Sequence, residues 1–171
     1  GVEEARVLNN MGISVPSPIE RQYSWPGKYT PFDHQKQTAA FLTLHRKCFC
    51  FNEQGSGKSS SAIWAADYLM TKGLVSRVLV ICPLSVMDAA WKDELFTSAM
   101  HRTVSIAHGS PKKRKDILAQ GSEFVIINYD GLGVVHDELR EGGFDLIIAD
   151  EATCLKNVKT RRWKMVNTLL K

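Results

Sequence analysis

Four short runs in the 171-residue chain are apolar at nearly every position: Cys48 to Phe51, Val78 to Cys82, Phe124 to Ile127 and Phe144 to Ala149. A fifth, Thr103 to Ala107, alternates. Continuous apolar runs of this length, rich in β-branched residues, read as strands covered on both faces, as in a parallel sheet. Between them, apolar residues recur at helical spacing. One helix opens at Lys58 and runs through Ile63, Ala66 and Met70, with Gly73 as its C-cap. Pro83 stops the second strand, and a helix with Met87, Ala90, Trp91 and Leu95 follows. Pro111 starts another, a fourth spans about 131 to 141 before Gly142 and Gly143, and a last one runs from Thr160 with Trp163, Val166 and Leu170 on one side. Strands alternating with helices predict an α/β fold with a mostly parallel sheet.

The N-terminal part is less regular. Residues 1–12 predict a short helix with Val2, Ala5, Val7 and Leu8 as its apolar side. Pro16, Pro18, Pro26 and Pro31 then exclude a long helix or a central strand, and Tyr23, Trp25 and Tyr29 between them predict a segment packed on the domain. Asp33 is the expected N-cap of a helix to about His45, with Ala40, Phe41 and Leu44 inward.

Composition adds bounds rather than direction. The length suits one domain with a real core. A net charge of +4 permits an anionic partner without demanding one. No apolar run approaches membrane-spanning length. The cysteines, Cys48, Cys50, Cys82 and Cys154, read as buried small hydrophobes in a reducing compartment, and no histidine spacing suggests zinc.

The chemistry begins at Gln54-Gly55-Ser56-Gly57-Lys58-Ser59-Ser60, between the first strand and its helix. Glycines let the backbone approach phosphate oxygens, and the turn and the helix N-terminus aim N–H groups and partial positive charge at them. Lys58 can reach the β/γ-phosphates, and the Ser59 hydroxyl can ligate magnesium. The full pattern asks for glycine where Asn52 stands, and on four letters alone an exposed turn is a rival reading. The apolar strand before and the helix after favour nucleotide binding.

In open α/β sheets ligands bind beyond the carboxyl ends of the strands. Asp150-Glu151 stands at one such end. A carboxylate there can hold magnesium opposite the phosphate loop, with Ser59 and partly through water, and Glu151 can activate an attacking water. An acidic pair could also simply cap the next helix. Pro83-Leu84-Ser85 and Asn128-Tyr129-Asp130 also follow buried strands. They are candidate contacts to nucleic-acid phosphates or ordinary caps and turns.

These segments occur in a telling order. Gly55-Ser56-Gly57-Lys58-Ser59, Ile81-Cys82-Pro83-Leu84-Ser85 with Trp91, Ile127-Asn128-Tyr129, and Asp150-Glu151-Ala152-Thr153 with Leu155-Lys156-Asn157 resemble the superfamily 2 (DEAD/DEAH-type) helicases. The resemblance is to the Swi/Snf-like branch, including phage and bacterial members, and runs from about Pro31 to the C-terminus. Pro31-Phe32-Asp33-His34-Gln35 is similar to the family's glutamine motif, which implies that Gln35 reads the adenine edge beside an aromatic. Asn52, where alanine or glycine is usual, and Ser59 for threonine are small departures.

The resemblance implies the N-terminal RecA-like lobe of an ATPase that uses ATP and magnesium to move on nucleic acid, DNA in preference to RNA. Catalytic roles fall to Lys58 and Glu151, and magnesium to Ser59 and Asp150. It implies a partner in the second RecA-like lobe, no membrane, and action in the cytoplasm of a bacterial or phage-infected cell. Residues 1–30 would be an N-terminal extension packed on the lobe and 31–171 an incomplete lobe, since neither the strand with the Ser/Thr-Ala-Thr coupling motif nor the arginine finger is matched. Such a lobe alone is expected to be nearly inactive. The Lys112 to Lys115 run could touch nucleic-acid backbone, although exposed charge explains it as well. A small P-loop kinase and a non-catalytic nucleotide-binding module are the rival classes, and the glutamine motif and acidic box count against the kinase. In the family the coupling-motif strand separates the phosphate-loop and acidic-box strands. A gap between those two strands, with unpaired backbone groups and poor folding of the chain by itself, is therefore expected.

Overall fold

The computed structural model describes residues 1–28, 30–44, 48–50, 58–84 and 87–150. Five strands form one wholly parallel sheet: β1 (Cys48–Cys50), β2 (Val78–Cys82), β3 (Val104–Ile106), β4 (Phe124–Asn128) and β5 (Leu146–Ala149), in the order β1-β5-β2-β4-β3. The helices are α1 (Val2–Asn10), α2 (Ile19–Gln22), α3 (Asp33–Thr43), α4 (Lys58–Thr71), α5 (Asp93–Ser98), α6 (Pro111–Ala119) and α7 (His136–Glu141).

Each central strand feeds two cores, because successive side chains leave a strand on opposite faces. Val78, Val80 and Cys82 of β2, Phe124 and Ile126 of β4, and Leu146 and Ile148 of β5 join Ile63, Ala66 and Leu69 of α4 and Leu95 of α5. Leu79, Ile81, Val125, Ile127, Ile147 and Ala149 face the other way, onto Leu118 of α6 and Leu139 of α7. The winding explains this division. From β1 to β3 the chain advances across the sheet, with α4 and α5 as crossovers, and it returns to β4 and β5 through α6 and α7. Right-handed crossovers put outbound helices on one face and returning helices on the other.

The sheet corrects the expected gap. β5 pairs with β2 on one side and directly with β1 on the other, in register Cys48↔Ile147, Phe49↔Ile148 and Cys50↔Ala149. The physical reason is the cost of the alternative. Each unpaired buried N–H or C=O costs about 1–3 kcal/mol, and direct pairing removes several at once. The expectation of poor folding rested on those unpaired groups and loses its basis.

Several helix boundaries differ from the sequence reading. Phe32, not Asp33, is the N-cap of α3, and Asp33 is the first helical residue. Gln35 in the third position reaches back so that its Oε1 accepts the Phe32 N–H at 2.8 Å, one half of a capping box. Phe41 is exposed while Ala39, Ala40 and Leu42 are buried, and Val7 on α1 is likewise exposed. The helix expected to carry Met87, Ala90, Trp91 and Leu95 is a π turn, Met87–Lys92, followed by α5. The helix expected over 131–141 is a 3-10 turn, Tyr129–Gly131, followed by the shorter α7. The C-cap of α4 is as anticipated. Gly73 has φ +76°, its N–H donates to Met70, and the Leu74 N–H donates to Leu69, both through backbone carbonyls.

The N-terminal segment straps the open side of α4. Tyr23 packs edge-on against Trp25 and Tyr68, and Trp25 edge-on against Trp64, whose indole donates to the Pro26 carbonyl at 2.8 Å. Beneath them Asp67 is almost fully buried. Its carboxylate accepts hydrogen bonds from the Tyr23 hydroxyl and from Arg102 Nε, both at 2.5 Å, and pairs with His101 Nε2 at 2.7 Å. Burial, then the neighbouring carboxylate, pushes the Tyr23 phenol well above its ordinary range. Arg102 also donates to Glu123 at 2.7 Å. Burial would raise the Glu123 carboxyl, but the bonds from Arg102 and Thr103 outweigh it and hold it low. Tyr23→Phe should lower the unfolding free energy by about 1.5–3 kcal/mol, the worth of a hydrogen bond to a buried charge. A urea midpoint equal to that of the parent protein would contradict this role for the strap.

Candidate nucleotide site at the carboxyl edge of the sheet

All five strands point the same way, so their carboxyl ends share one edge. The ends of β1 and β5 lie side by side at that edge. Cys50 and Ala149 are opposite each other in the ladder, and so are Ile81 and Ala149. One residue further on, the Asp150 N–H donates to the Ile81 carbonyl at 2.8 Å, which extends the ladder by one bond. On the β1 side, the chain next enters α4 at Lys58.

Asp150 is only 6% exposed and is held from two directions. The Trp91 indole N–H donates to its Oδ2 at 2.8 Å, and the Tyr129 hydroxyl donates to its backbone carbonyl at 2.6 Å. Trp91 comes from the π turn and Tyr129 from the 3-10 turn after β4. The turns that follow β2 and β4 therefore meet at Asp150, one on its carboxylate and one on its backbone carbonyl.

The first turn of α4 is tied to its neighbours by serines. Ser59 is half-buried. Ser60 Oγ donates to Glu94 of α5, whose Oε1 also accepts from Ser98 at 3.0 Å. The Ser60 side chain therefore serves the junction of α4 with α5. Ser61 Oγ donates to the Gln35 carbonyl at 3.1 Å, which fixes the start of α3 against the start of α4. Gln35 thus stands beside the start of α4 with its amide oriented by the Phe32 N–H. Phe32 is exposed and stacks on His34, with centroids 5.7 Å apart and planes 9° apart.

The other strand ends are divided. Pro83 is half-buried and Leu84 exposed. Asn128 and Tyr129 are buried, and their side chains serve the fold. Asn128 Oδ1 accepts from Arg114 Nη1 at 3.1 Å, and the same guanidinium donates to the Ala107 and Gly109 carbonyls. Arg114 is therefore an internal tie, while Lys112, Lys113 and Lys115 of the same run are exposed. Gly131 makes room for this tie, since an added Cβ would collide with the guanidinium. Gln54, Gly55, Ser56, Gly57, Ser85, Glu151 and the Lys58 side chain lie outside the described residues.

The donor set suits a hard cation bridging to phosphate. Asp150 and Ser59 offer oxygen ligands, as magnesium prefers, and magnesium is commonly held by one or two carboxylates completed by substrate phosphates and water. Among the described residues, no cluster of three or more histidine, cysteine or acidic side chains could hold a metal unaided. Among them also, no helix is long and apolar enough to cross a membrane.

The family model described as "SNF2-related domain" matches residues 34–171. The chain belongs to the SNF2-related domain family. It is 32% identical over 143 residues to a Caenorhabditis elegans protein, the SWI/SNF-related matrix-associated actin-dependent regulator of chromatin subfamily A-like protein 1 homolog, covering 82% of this chain and 20% of that one. It is 27% identical to the uncharacterized ATP-dependent helicase YqhH of Bacillus subtilis, over 84% of this chain and 25% of that protein. The solved Sulfolobus solfataricus SWI2/SNF2 ATPase core in complex with dsDNA superposes with a TM-score of 0.71 at 25% identity, covering 86% of this chain and 31% of that one. The SNF2-related chain thus spans about a fifth to a third of the lengths of these three relatives. The Swi/Snf-like resemblance and the RecA-like, parallel α/β architecture read from the motifs are borne out.

Sequence reasoning read Trp91 as an apolar residue of a helix and as one of the residues carrying the family resemblance, with no role for its side chain. Its bond to Asp150 depends on the π turn, which the helical spacing of Met87, Trp91 and Leu95 does not announce. Tyr129→Phe should lower stability by about 0.5–1.5 kcal/mol, the worth of the neutral hydrogen bond to the Asp150 carbonyl. A loss above about 3 kcal/mol in chemical denaturation would mean that the hydroxyl supports more than the Asp150 carbonyl.

Proposed function

We propose that this SNF2-related chain is the N-terminal ATP-binding lobe of a nucleic-acid-dependent ATPase, a translocase or helicase acting on DNA in preference to RNA. The observation that carries the reading is the register Cys50↔Ala149, which sets the end of β1, the strand before α4, beside the strand end that carries the buried Asp150. Membership of the SNF2-related family supports the roles that the reading assigns to those residues. Residues 31–171 would form the lobe and residues 1–30 an extension strapped on it, with a second RecA-like lobe of the full-length protein closing over the nucleotide. The site of action would be the cytoplasm of a bacterial or phage-infected cell.

In this reading Gly55, Gly57 and the first N–H groups of α4 cradle the phosphates, with Gln54, Ser56 and the backbone N–H of Ser60 beside them. Lys58 neutralises the β/γ-phosphates, and Ser59 and Asp150 hold magnesium. Magnesium bound there would withdraw charge from the phosphate oxygens. Glu151 orients a water and takes its proton on the carboxylate. Gln35 discriminates adenine with the side-chain amide, whose oxygen keeps a second lone pair and whose nitrogen keeps its donors. Pro83, Leu84 and Ser85 face the nucleic-acid track, joined by the backbone at Asn128 and Tyr129.

In the full-length protein, Lys58→Ala should abolish ATP binding, whereas Glu151→Gln should bind ATP and fail to hydrolyse it. The charge-assisted bond that Lys58 supplies to phosphate is worth about 1.5–3 kcal/mol or more. Filter binding and turnover with and without duplex DNA separate the two, and normal turnover by Lys58→Ala would overturn the reading. Gln35→Ala should narrow the preference for ATP over GTP, since a site built to pair a base edge rejects the wrong base through its unpaired groups. An unchanged ATP/GTP ratio of kcat/KM would remove Gln35 from the adenine site.

A further inference from the structure

The ATP-site reading assigns no role to Trp91, yet its placement is specific. The side chain is fully buried, and its one polar atom is spent on Asp150 Oδ2 at 2.8 Å. An indole N–H is a donor only, on a rigid bicycle with two torsions, so it can fix one carboxylate oxygen without neutralising the charge. The residue sits in the π turn Met87–Lys92, and single π turns recur at functional sites because they break the helical ladder at some cost. Immediately after the turn, α5 brings Glu94 to Ser60 in the first turn of α4. One short segment, leaving the edge soon after β2, thus grips both Asp150 and the phosphate helix.

We infer that Trp91 is a positioning residue for the magnesium site. Its N–H holds the Asp150 carboxylate in one rotamer, so the ligand is already oriented when nucleotide and metal arrive. This rests on the reading of Asp150 as a magnesium ligand. A partner that orients a metal-binding carboxylate affects metal affinity while leaving metal-free contacts alone. The π turn also follows Pro83 and Leu84 closely in the chain, so it joins the proposed nucleic-acid contact to the metal ligand.

The test uses the full-length protein and two variants. Trp91→Phe deletes the N–H and some volume. Replacement of Trp91 by β-(3-benzothienyl)alanine deletes the N–H and keeps the bicyclic volume. Equilibrium binding of a fluorescent ATP analogue is measured against magnesium concentration and also in EDTA, with hydrolysis followed in parallel. In both variants the magnesium concentration for half-maximal tightening of nucleotide binding should rise about 10-fold or more. Affinity in EDTA should stay within about twofold of the parent, and kcat should fall more than KM changes. A parental magnesium dependence in the benzothienyl variant would overturn the inference, as would an equal loss of binding with and without metal, which marks packing alone. Asp150→Asn in the same assay separates the two levels. If it too leaves the magnesium dependence unchanged, the ATP-site reading fails. If it abolishes the dependence while the Trp91 variants keep theirs, only the role of Trp91 is lost.

Discussion

Backbone N–H and C=O groups in a sheet covered on both faces have no water to turn to, so every central strand must find two neighbours. In this chain β5 answers that demand. It slides between β1 and β2 and pairs with both, through Cys50↔Ala149 on one side and Ile81↔Ala149 on the other. Asp150 is carried with it, so the need to close the ladder also sets the carboxylate beside the carboxyl end of β1, the strand that precedes α4. The bond from the Asp150 N–H to the Ile81 carbonyl shows how little separates ladder from site.

Around that carboxylate the polar groups are shared between stability and chemistry. Tyr129 and Trp91 satisfy Asp150 while fastening the ends of β4 and β2 to it. Ser60 and Ser61 fasten the start of α4 to α5 and α3. A buried carboxylate left unpartnered would be costly, and one whose partners are rigid side chains has little rotational freedom left to lose on binding a metal. The same logic operates lower on α4, where Asp67 is satisfied by Tyr23, His101 and Arg102 and so ties the N-terminal strap to the chain before β3.

The family match begins at residue 34, so the strap lies outside it. Its aromatic contacts to Trp64 and Tyr68 nonetheless cover the face of α4 that the sheet does not. A helix apolar nearly all round must be buried all round. Ile63, Ala66 and Leu69 are used on the sheet, and Trp64 and Tyr68 require a second cover.

The strands and most of the crossover helices were legible in the sequence. Continuous apolar runs such as Val78 to Cys82 fit a doubly covered strand, and Asp150-Glu151 follows such a run directly. The Schellman end of α4 followed from Gly73, since glycine tolerates the positive φ without strain. The tertiary structure decided what local pattern does not encode. Which strand sits beside β1 depends on long-range ladder satisfaction, and the sequence reading wrongly left that place empty. Phe41 and Val7 fit an apolar helix face by spacing yet lie exposed, because burial depends on what the face meets. Asn128, Arg114 and Trp91 look like a surface amide, a surface cation and a core aromatic. Only the packed chain shows that the first two pair with each other and the third with Asp150, since a hydrogen bond between residues 59 positions apart leaves no trace in local periodicity.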